Sequence, residues 1–284
     1  MRERSVLITG CSSGIGWACA ERLSAGGWRV FATARRAEDL ARIEKQGWIP
    51  VALDVACSDS IEACVQVVLD AVGGELDAVV NNAGFGMPGA VEDLSRAAMR
   101  RQFEVNLFGA VELTNRLLPA MRAAGRGRVV YISSLVGRMS LPFMGIYSAS
   151  KFALEAVADA QRVELSMTGV KVVLVEPGPI QTRFSAACAA AGEAGLEGDG
   201  SRFGAAYARY FAQRKGGGMS EDRFRLPPEA VAEKVVRALE AGRPRVRYMV
   251  TVPTYVADFL VRFVPVRWRD AVMQRQVRKR FGSD

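Results

Sequence analysis

"SVLITGCSSGIG", residues 5–16, decides the fold. A short β-branched and aliphatic run ends at Gly10, and a helical stretch opens near Gly14. In such a turn the first glycine, Gly10, permits the tight bend and Gly14 lets backbone approach a pyrophosphate. Gly16 lets the following helix pack close to the sheet. The helix start offers unpaired N–H groups and a partial positive charge, which Ser12, Ser13 and Ile15 would bring to the phosphates. A glycine-rich turn with no ligand is the competing reading. Position decides between them, because the triplet directly follows an apolar strand and opens a helix.

Working outward, strand and helix alternate. Short apolar runs at 5–9, 28–33, 49–53, 77–81, 128–132 and 170–175 are separated by helical stretches near 14–26, 37–46, 59–72, 95–124 and 147–168. A helix near 228–241 and a seventh strand at 245–250 follow. Strands that read as almost continuous apolar runs are buried on both faces, as in a parallel sheet. Right-handed crossovers place helices on both sides of it. The pattern predicts an α/β fold: a doubly wound Rossmann-type parallel sheet of about seven strands, in one domain over 1–284. Ligands in such sheets bind outside the C-terminal ends of the strands.

The second strand tests which dinucleotide is bound. An NAD site carries an acid there for the ribose 2′-OH, whereas an NADP site supplies arginine. Here "VFATARR" puts Ala34 in the acid's place, followed by Arg35 and Arg36. A guanidinium grips a 2′-phosphate with two parallel hydrogen bonds. NADP(H) is therefore preferred over NAD(H), against the plain alternative of two solvated arginines. Asp54 and Val55, ending strand three, are placed to meet the adenine. Asn82, Ala83 and Gly84 of "NNAG" bring backbone close to the cofactor. "EPGPIQT" contributes Pro177, Gly178, Ile180 and Thr182, the last toward the nicotinamide amide.

Composition excludes other chemistries. The 284-residue chain has no histidine, and its five cysteines form no C-x-x-C pair, so no metal site is expected. An odd cysteine count without a secretion signal favours reduced thiols in the core. The formal charge of +8 comes with no nucleic-acid recognition motif, so no nucleic-acid partner is expected. No stretch reaches the roughly 18 apolar residues of a membrane span. The default address is then cytoplasmic, with membrane association through the tail as its variant.

In "GIYSASKFAL", residues 145–154, Tyr147 and Lys151 lie four apart on one helix face. "TGCSSGIG", "NNAG", the serine of "YISS", "YSASK" and "PGPIQT", in that order and spacing, resemble the short-chain dehydrogenase/reductase family over about residues 5–182. The glycine turn, "FATARR" and the tail are most similar to its hydroxysteroid and retinol dehydrogenase branch. The resemblance implies Ser134, Tyr147 and Lys151 as the catalytic set, with Asn106 of "FEVNLFG" as a fourth member.

Elementary electrostatics supports that set. A phenol with a pKa of about 10 is a good donor but a poor base near neutrality. Lowering it by two to three units takes about 3–4 kcal/mol. An ammonium about 4 Å away at an effective dielectric near 20 supplies something of that size. Tyr147 would be general acid in reduction and general base in oxidation. Lys151 would tune it, Ser134 would stabilise charge on the substrate oxygen, and Asn106 would hold a water relaying protons to Lys151. Read singly, an aromatic lying on a lysine stem, a strand-end serine and a helix kink would each be ordinary.

Residues 183–226 are rich in alanine and glycine and read as a cover over the site rather than a surface insertion. Phe143, Met144, Phe184, Phe203, Tyr207, Tyr210 and Phe211 suggest a pocket for a lipophilic ketone, aldehyde or secondary alcohol, steroid-, retinoid- or lipid-like. In the extension 251–284, apolar residues of "YVADFLVRFV" recur at helical spacing, and a basic segment follows. Packing on the domain, combined with a subunit contact in a homo-oligomer (dimer or tetramer), is preferred there over peripheral contact with an anionic membrane. The leading function is an NADP(H)-dependent oxidoreductase. The competitor from another class is an NADP(H)-binding sensor or scaffold without turnover.

Overall fold

Seven parallel strands form one sheet in the order β3-β2-β1-β4-β5-β6-β7. A computed structural model describes residues 3–196, 201–215 and 224–281. The strands are β1 (Arg4–Ile8), β2 (Trp28–Ala34), β3 (Ile49–Ala52), β4 (Ala78–Asn81), β5 (Gly127–Ile132), β6 (Val170–Glu176) and β7 (Arg247–Met249). Between them run α1 (Gly14–Ala25), α2 (Ala37–Glu44), α3 (Ser58–Ala71), α4 (Arg96–Phe103), α5 (Gly109–Ala123) and α6 (Gly145–Glu164). After β6 come α7 (Phe184–Gly195), α8 (Gly204–Lys215) and α9 (Glu229–Glu240); α10 (Val252–Phe263) and α11 (Val266–Phe281) follow β7.

Side-chain alternation along the strands explains the double winding. On β1, Val6 and Ile8 face the layer that holds Cys19 and Leu23 of α1 and Val235 and Leu239 of α9. Leu7 points the other way, into a second layer with Ile61 of α3, Leu113 and Leu117 of α5, and Leu154 of α6. Both faces are covered, so both residues of each strand pair must be apolar. No disulfide joins the cysteines. Burial pushes the Cys11 and Cys64 thiols up to about 12, as expected of core residues.

Two local differences from the sequence expectation matter for the site. The helix expected over 95–124 is broken by a π-helical turn, Glu104–Phe108, with Asn106 at its centre; such turns mark functional positions in helices. The expected cover contains α7 and α8, and the Ala/Gly-rich sequence of α7 shows no clear apolar period. Residues 197–200 and 216–223 of that cover lie outside the described residues, as do the side chains of Lys279 and Arg280 in the basic tail.

Candidate active site

Strand order reverses between β1 and β4, which opens a crevice at their C-terminal ends. The glycine turn lies in it, with φ of +73° at Gly10 and +63° at Gly14, where L side chains are strained. A Cβ on Gly10 would stand 3.0 Å from the Ala83 Cα. One on Gly16 would overlap the Gly10 carbonyl and approach the Asn82 amide nitrogen to 2.6 Å. Thr9 ties the two segments, its hydroxyl accepting from the N–H groups of Asn82 (2.9 Å) and Ala83 (2.8 Å). Asn82 Nδ2 donates back to the carbonyls of Thr9 and Gly10 at 2.8 and 3.1 Å. Asn82 thus braces the turn from within the protein.

α1 begins with Ser13 as N-cap, makes no side-chain capping bond and has no acid in its first turn. Its unpaired N–H groups, flanked by Ser12 and Ile15, fit a phosphate. The Ser12 carbonyl accepts from Arg42 of α2 (3.5 Å) and from Arg183 (3.3 Å). Sequence reasoning missed both, because no local spacing joins them to the turn. The pair after β2 divides. Arg36 is committed to Asp39 (2.8 Å) and Glu38 (2.9 Å), while Arg35 is exposed and makes no ion pair among the described residues.

The remaining expected contacts line the same crevice edge. Asp54 Oδ1 accepts from the Ala56 N–H at 3.0 Å, which commits one carboxylate oxygen to a local turn. Val55 is buried, and its carbonyl lies where a Gly109 Cβ would be. The Pro177 carbonyl accepts from the Leu135 N–H at 2.8 Å, and Gly178 lies so close to Thr251 that a Cβ would collide with its hydroxyl. Ile180 pairs with Leu226. Thr182 reaches the turn itself: a Cβ on Gly14 would come within 3.0 Å of its methyl group.

Along α6, Tyr147, Lys151 and Glu155 follow at steps of four, and all three are buried. Lys151 Nζ donates to the Ile132 carbonyl at 2.8 Å. Burial lowers Lys151 to about 8, with Glu155 acting the other way. Burial pushes the Tyr147 phenol well above its usual value; the Cys188 thiol adds to this, and a hydrogen bond with the Ser134 hydroxyl opposes it. In the protein alone burial, and not Lys151, decides the direction for Tyr147. Desolvation acts on both groups, and the ammonium gives one of its three N–H bonds to β5.

Asn106 faces the "NNAGFG" loop. Its Oδ1 accepts from the Phe85 N–H at 3.0 Å, and its Nδ2 donates to the Phe85 carbonyl (2.9 Å) and to Ser150 Oγ (3.1 Å). Gln102, one turn earlier, donates to the same carbonyl at 2.7 Å. A Cβ on Gly84 would sit 3.1 Å from Asn106 Oδ1 and 3.8 Å from Lys151 Nζ, so the loop passes over both.

A buried charge cluster lies below Lys151. Arg247 Nε stands 3.1 Å from both Glu155 and Glu176, and its Nη2 is 2.6 Å from Asp159. Arg138 pairs with Asp258 at 2.7 Å nearby. Burial, then repulsion from Glu155, raises Glu176 to about 7 despite the two arginines. The cluster joins β6, β7, α6 and α10, so its partners are far apart in sequence. Only the Tyr147–Lys151 step was visible there.

Beside Tyr147 lies an apolar cavity of about 290 Å³. Six of the seven expected large residues line it: Phe143, Met144, Phe184, Tyr207, Tyr210 and Phe211. Phe203 stands behind them, edge-on to Phe143 at 5.0 Å. The Phe184 ring connects cavity to site, 5.9 Å from the Tyr147 ring. Met273 and Val277 of α11 complete the wall. Phe143 holds φ of +61°, a strained conformation for a bulky residue. Among the described residues no acidic or thiol cluster could hold a metal, and no helix is long and apolar enough to cross a membrane.

Comparison with known proteins matches residues 4–191 to the family model described as short chain dehydrogenase. An uncharacterized oxidoreductase, YbbO, of Escherichia coli K12 is 41% identical over 272 residues, covering 96% of this chain and 94% of that one. An NADPH-dependent 3-dehydrocapnine reductase of Ornithobacterium rhinotracheale is 34% identical, covering 97% and 98%. Human retinol dehydrogenase 8 is 38% identical over 64% of this chain and 60% of its own length. Among solved structures, a short-chain dehydrogenase of Streptomyces avermitilis superposes with a TM-score of 0.76 at 29% identity, covering 98% and 96%. A variant of the actinorhodin polyketide ketoreductase with NADPH gives 0.72 at 29%, covering 87% and 95%. A Burkholderia phymatum relative in complex with NAD shares the fold, with a TM-score of 0.78 at 24% identity, covering 99% and 97%.

Proposed function

The chain belongs to the short-chain dehydrogenase/reductase family and is an oxidoreductase, and on that premise we propose that it is an NADP(H)-linked carbonyl reductase or alcohol dehydrogenase acting on a lipophilic molecule. The observation that carries this reading is the place of Tyr147, buried one helical turn from Lys151 with its ring 5.9 Å from that of Phe184, which lines an apolar cavity. The relatives are named oxidoreductases and reductases, which favours turnover over the sensor alternative. An NADPH-dependent relative supports the cofactor preference, and so does exposed Arg35, which has no ion pair among the described residues.

The crevice fits a dinucleotide. Gly10, Gly14 and Gly16 leave space that side chains would fill, and α1 presents uncapped N–H groups free of nearby acids. Arg35, with Arg42 and Arg183 at the turn, would hold its phosphates, and Asp54 and Thr182 would meet its two ends. Bound there, the reduced nicotinamide supplies hydride to the carbonyl carbon, and its oxidised form supplies positive charge.

The chain's own residues handle the proton. Ser134 donates a hydrogen bond to the carbonyl oxygen and stabilises the charge that grows on it. Tyr147 Oη delivers its proton to that oxygen; a phenol held above its usual pKa stays protonated until it is needed. In the alcohol direction the same phenol must act as a base. Lys151, fixed by Ile132, then supplies cationic charge one helical turn away. Asn106 positions the loop that closes over Lys151. Exposed Phe108 and Phe152 support a homo-oligomer.

The test follows absorbance of the reduced cofactor, NADPH against NADH, with a panel of lipophilic and small polar carbonyls. Faster turnover of lipophilic members with NADPH is expected. Exclusive use of the small polar set would overturn the substrate class.

A further inference from the structure

α10 and α11 expose more large apolar surface than packing explains. α10 turns Thr254, Ala257 and Asp258 inward, where Asp258 bonds Arg138. Its outer side shows Tyr255, Val256, Phe259 and Phe263, with Phe263 70% exposed and its ring 5.1 Å from that of Phe259. In α11, Trp268 is 71% exposed and Val272 is exposed beside it. Met273 and Val277 lie about 140° around the helix from Trp268 and Val272, at 100° per residue, and line the cavity. α11 is thus apolar on two sides, one toward the cavity and one outward.

The charge on α11 says what meets the outer side. Its sequence holds Arg267, Arg269, Arg275, Arg278, Lys279 and Arg280 against one acid, Asp270. Among the described residues none of its first four arginines has an ion pair, whereas Arg262 of α10 is held by Asp258 at 2.9 Å. A second copy of this face would set cations against cations. Nucleic acid would use the arginines but has no place for Val256, Val266 and Val272. Aromatic rings among arginines suit the headgroup level of a bilayer, where arginine stems lie along apolar surface and the rings enter it.

We propose that the outer face of α10 and α11 docks on an anionic lipid surface. Docked there, α11 separates the bilayer from the cavity by one helix, so that an apolar substrate passes between them past Met273 and Val277. The passage rests on the lipophilic-substrate reading; the docking does not, and its test needs no turnover.

The full chain is floated with vesicles of phosphatidylcholine alone or of phosphatidylcholine with phosphatidylglycerol. Binding is compared with Arg267→Glu/Arg275→Glu and with Phe259→Ser/Phe263→Ser/Trp268→Ser, both checked for an unchanged melting transition. The native chain should float with anionic vesicles, and the charge reversal should weaken this by at least about tenfold. The serine variant should lose it. Trp268 emission should shift to the blue on vesicle addition, and Trp268→Phe should abolish the shift. No flotation with anionic vesicles, or flotation that both variants retain, would overturn the proposal. So would sedimentation showing that the serine variant dissociates an oligomer while the native chain ignores vesicles.

Discussion

The side chain of Asn106 is hydrogen-bonded to both backbone groups of Phe85, accepting its N–H at 3.0 Å and donating to its carbonyl at 2.9 Å. With the second amide hydrogen given to Ser150, both hydrogens are committed. The sequence pointed to Asn106 as a holder of water for Lys151; its side chain clamps the loop above that lysine. Asn106→Ala strands the Phe85 N–H, while the carbonyl keeps its bond from Gln102, and a loss of about 1–3 kcal/mol is expected. The melting temperature should fall by roughly 2–10 °C, read by calorimetry. An unchanged transition would mean that the loop is held elsewhere.

Arg35 and Arg36 should separate in their effects. Arg36 already serves Asp39 and Glu38, while Arg35 is open. Arg35→Glu should weaken NADPH about 10- to 100-fold, the worth of a charged hydrogen bond, and leave NADH nearly unchanged. Arg36→Glu should act mainly on α2 stability. Titration of both cofactors checks this, and equal effects of the two variants on NADPH would contradict it.

Much of this was legible in the residues, and the limits are physical. Apolar runs and the glycine turn report local geometry, so the parallel sheet and the placement of Gly10, Gly14 and Gly16 could be read directly. Arg42, Arg183 and the Glu155–Glu176–Arg247 cluster meet only through tertiary contacts. α7 escaped because its small residues carry no apolar period, whereas in α8 the helical spacing of Tyr207, Tyr210 and Phe211 was read only as a set of pocket aromatics. The role of α11 in the cavity escaped because Met273 and Val277 are ordinary in sequence and informative only in space.

The buried cluster gives a pH dependence with a definite sign. Glu176 is raised to about 7 from 4.5, so between those values the folded chain holds a proton that the unfolded chain has lost. Its contribution to stability therefore falls as pH rises through that window. Glu176→Gln should melt above the native protein near neutrality and beyond, with the difference shrinking toward pH 4.5. Melting curves across the range decide. A deficit of constant size would mean that the ion pair with Arg247 outweighs burial. Lys151, lowered to about 8 from 10.5, acts oppositely: its burial cost is present below 8 and fades as pH rises toward 10.5.

Replacing one hydroxyl tests the central claim most directly. With NADPH and a carbonyl that the native protein reduces, Tyr147→Phe should keep the cofactor affinity and lose turnover by about 10²–10⁴-fold, the range for a positioned proton donor. Stopped-flow or steady-state absorbance of NADPH gives the rate. A Tyr147→Phe variant that reduces the carbonyl as fast as the native chain would contradict the account.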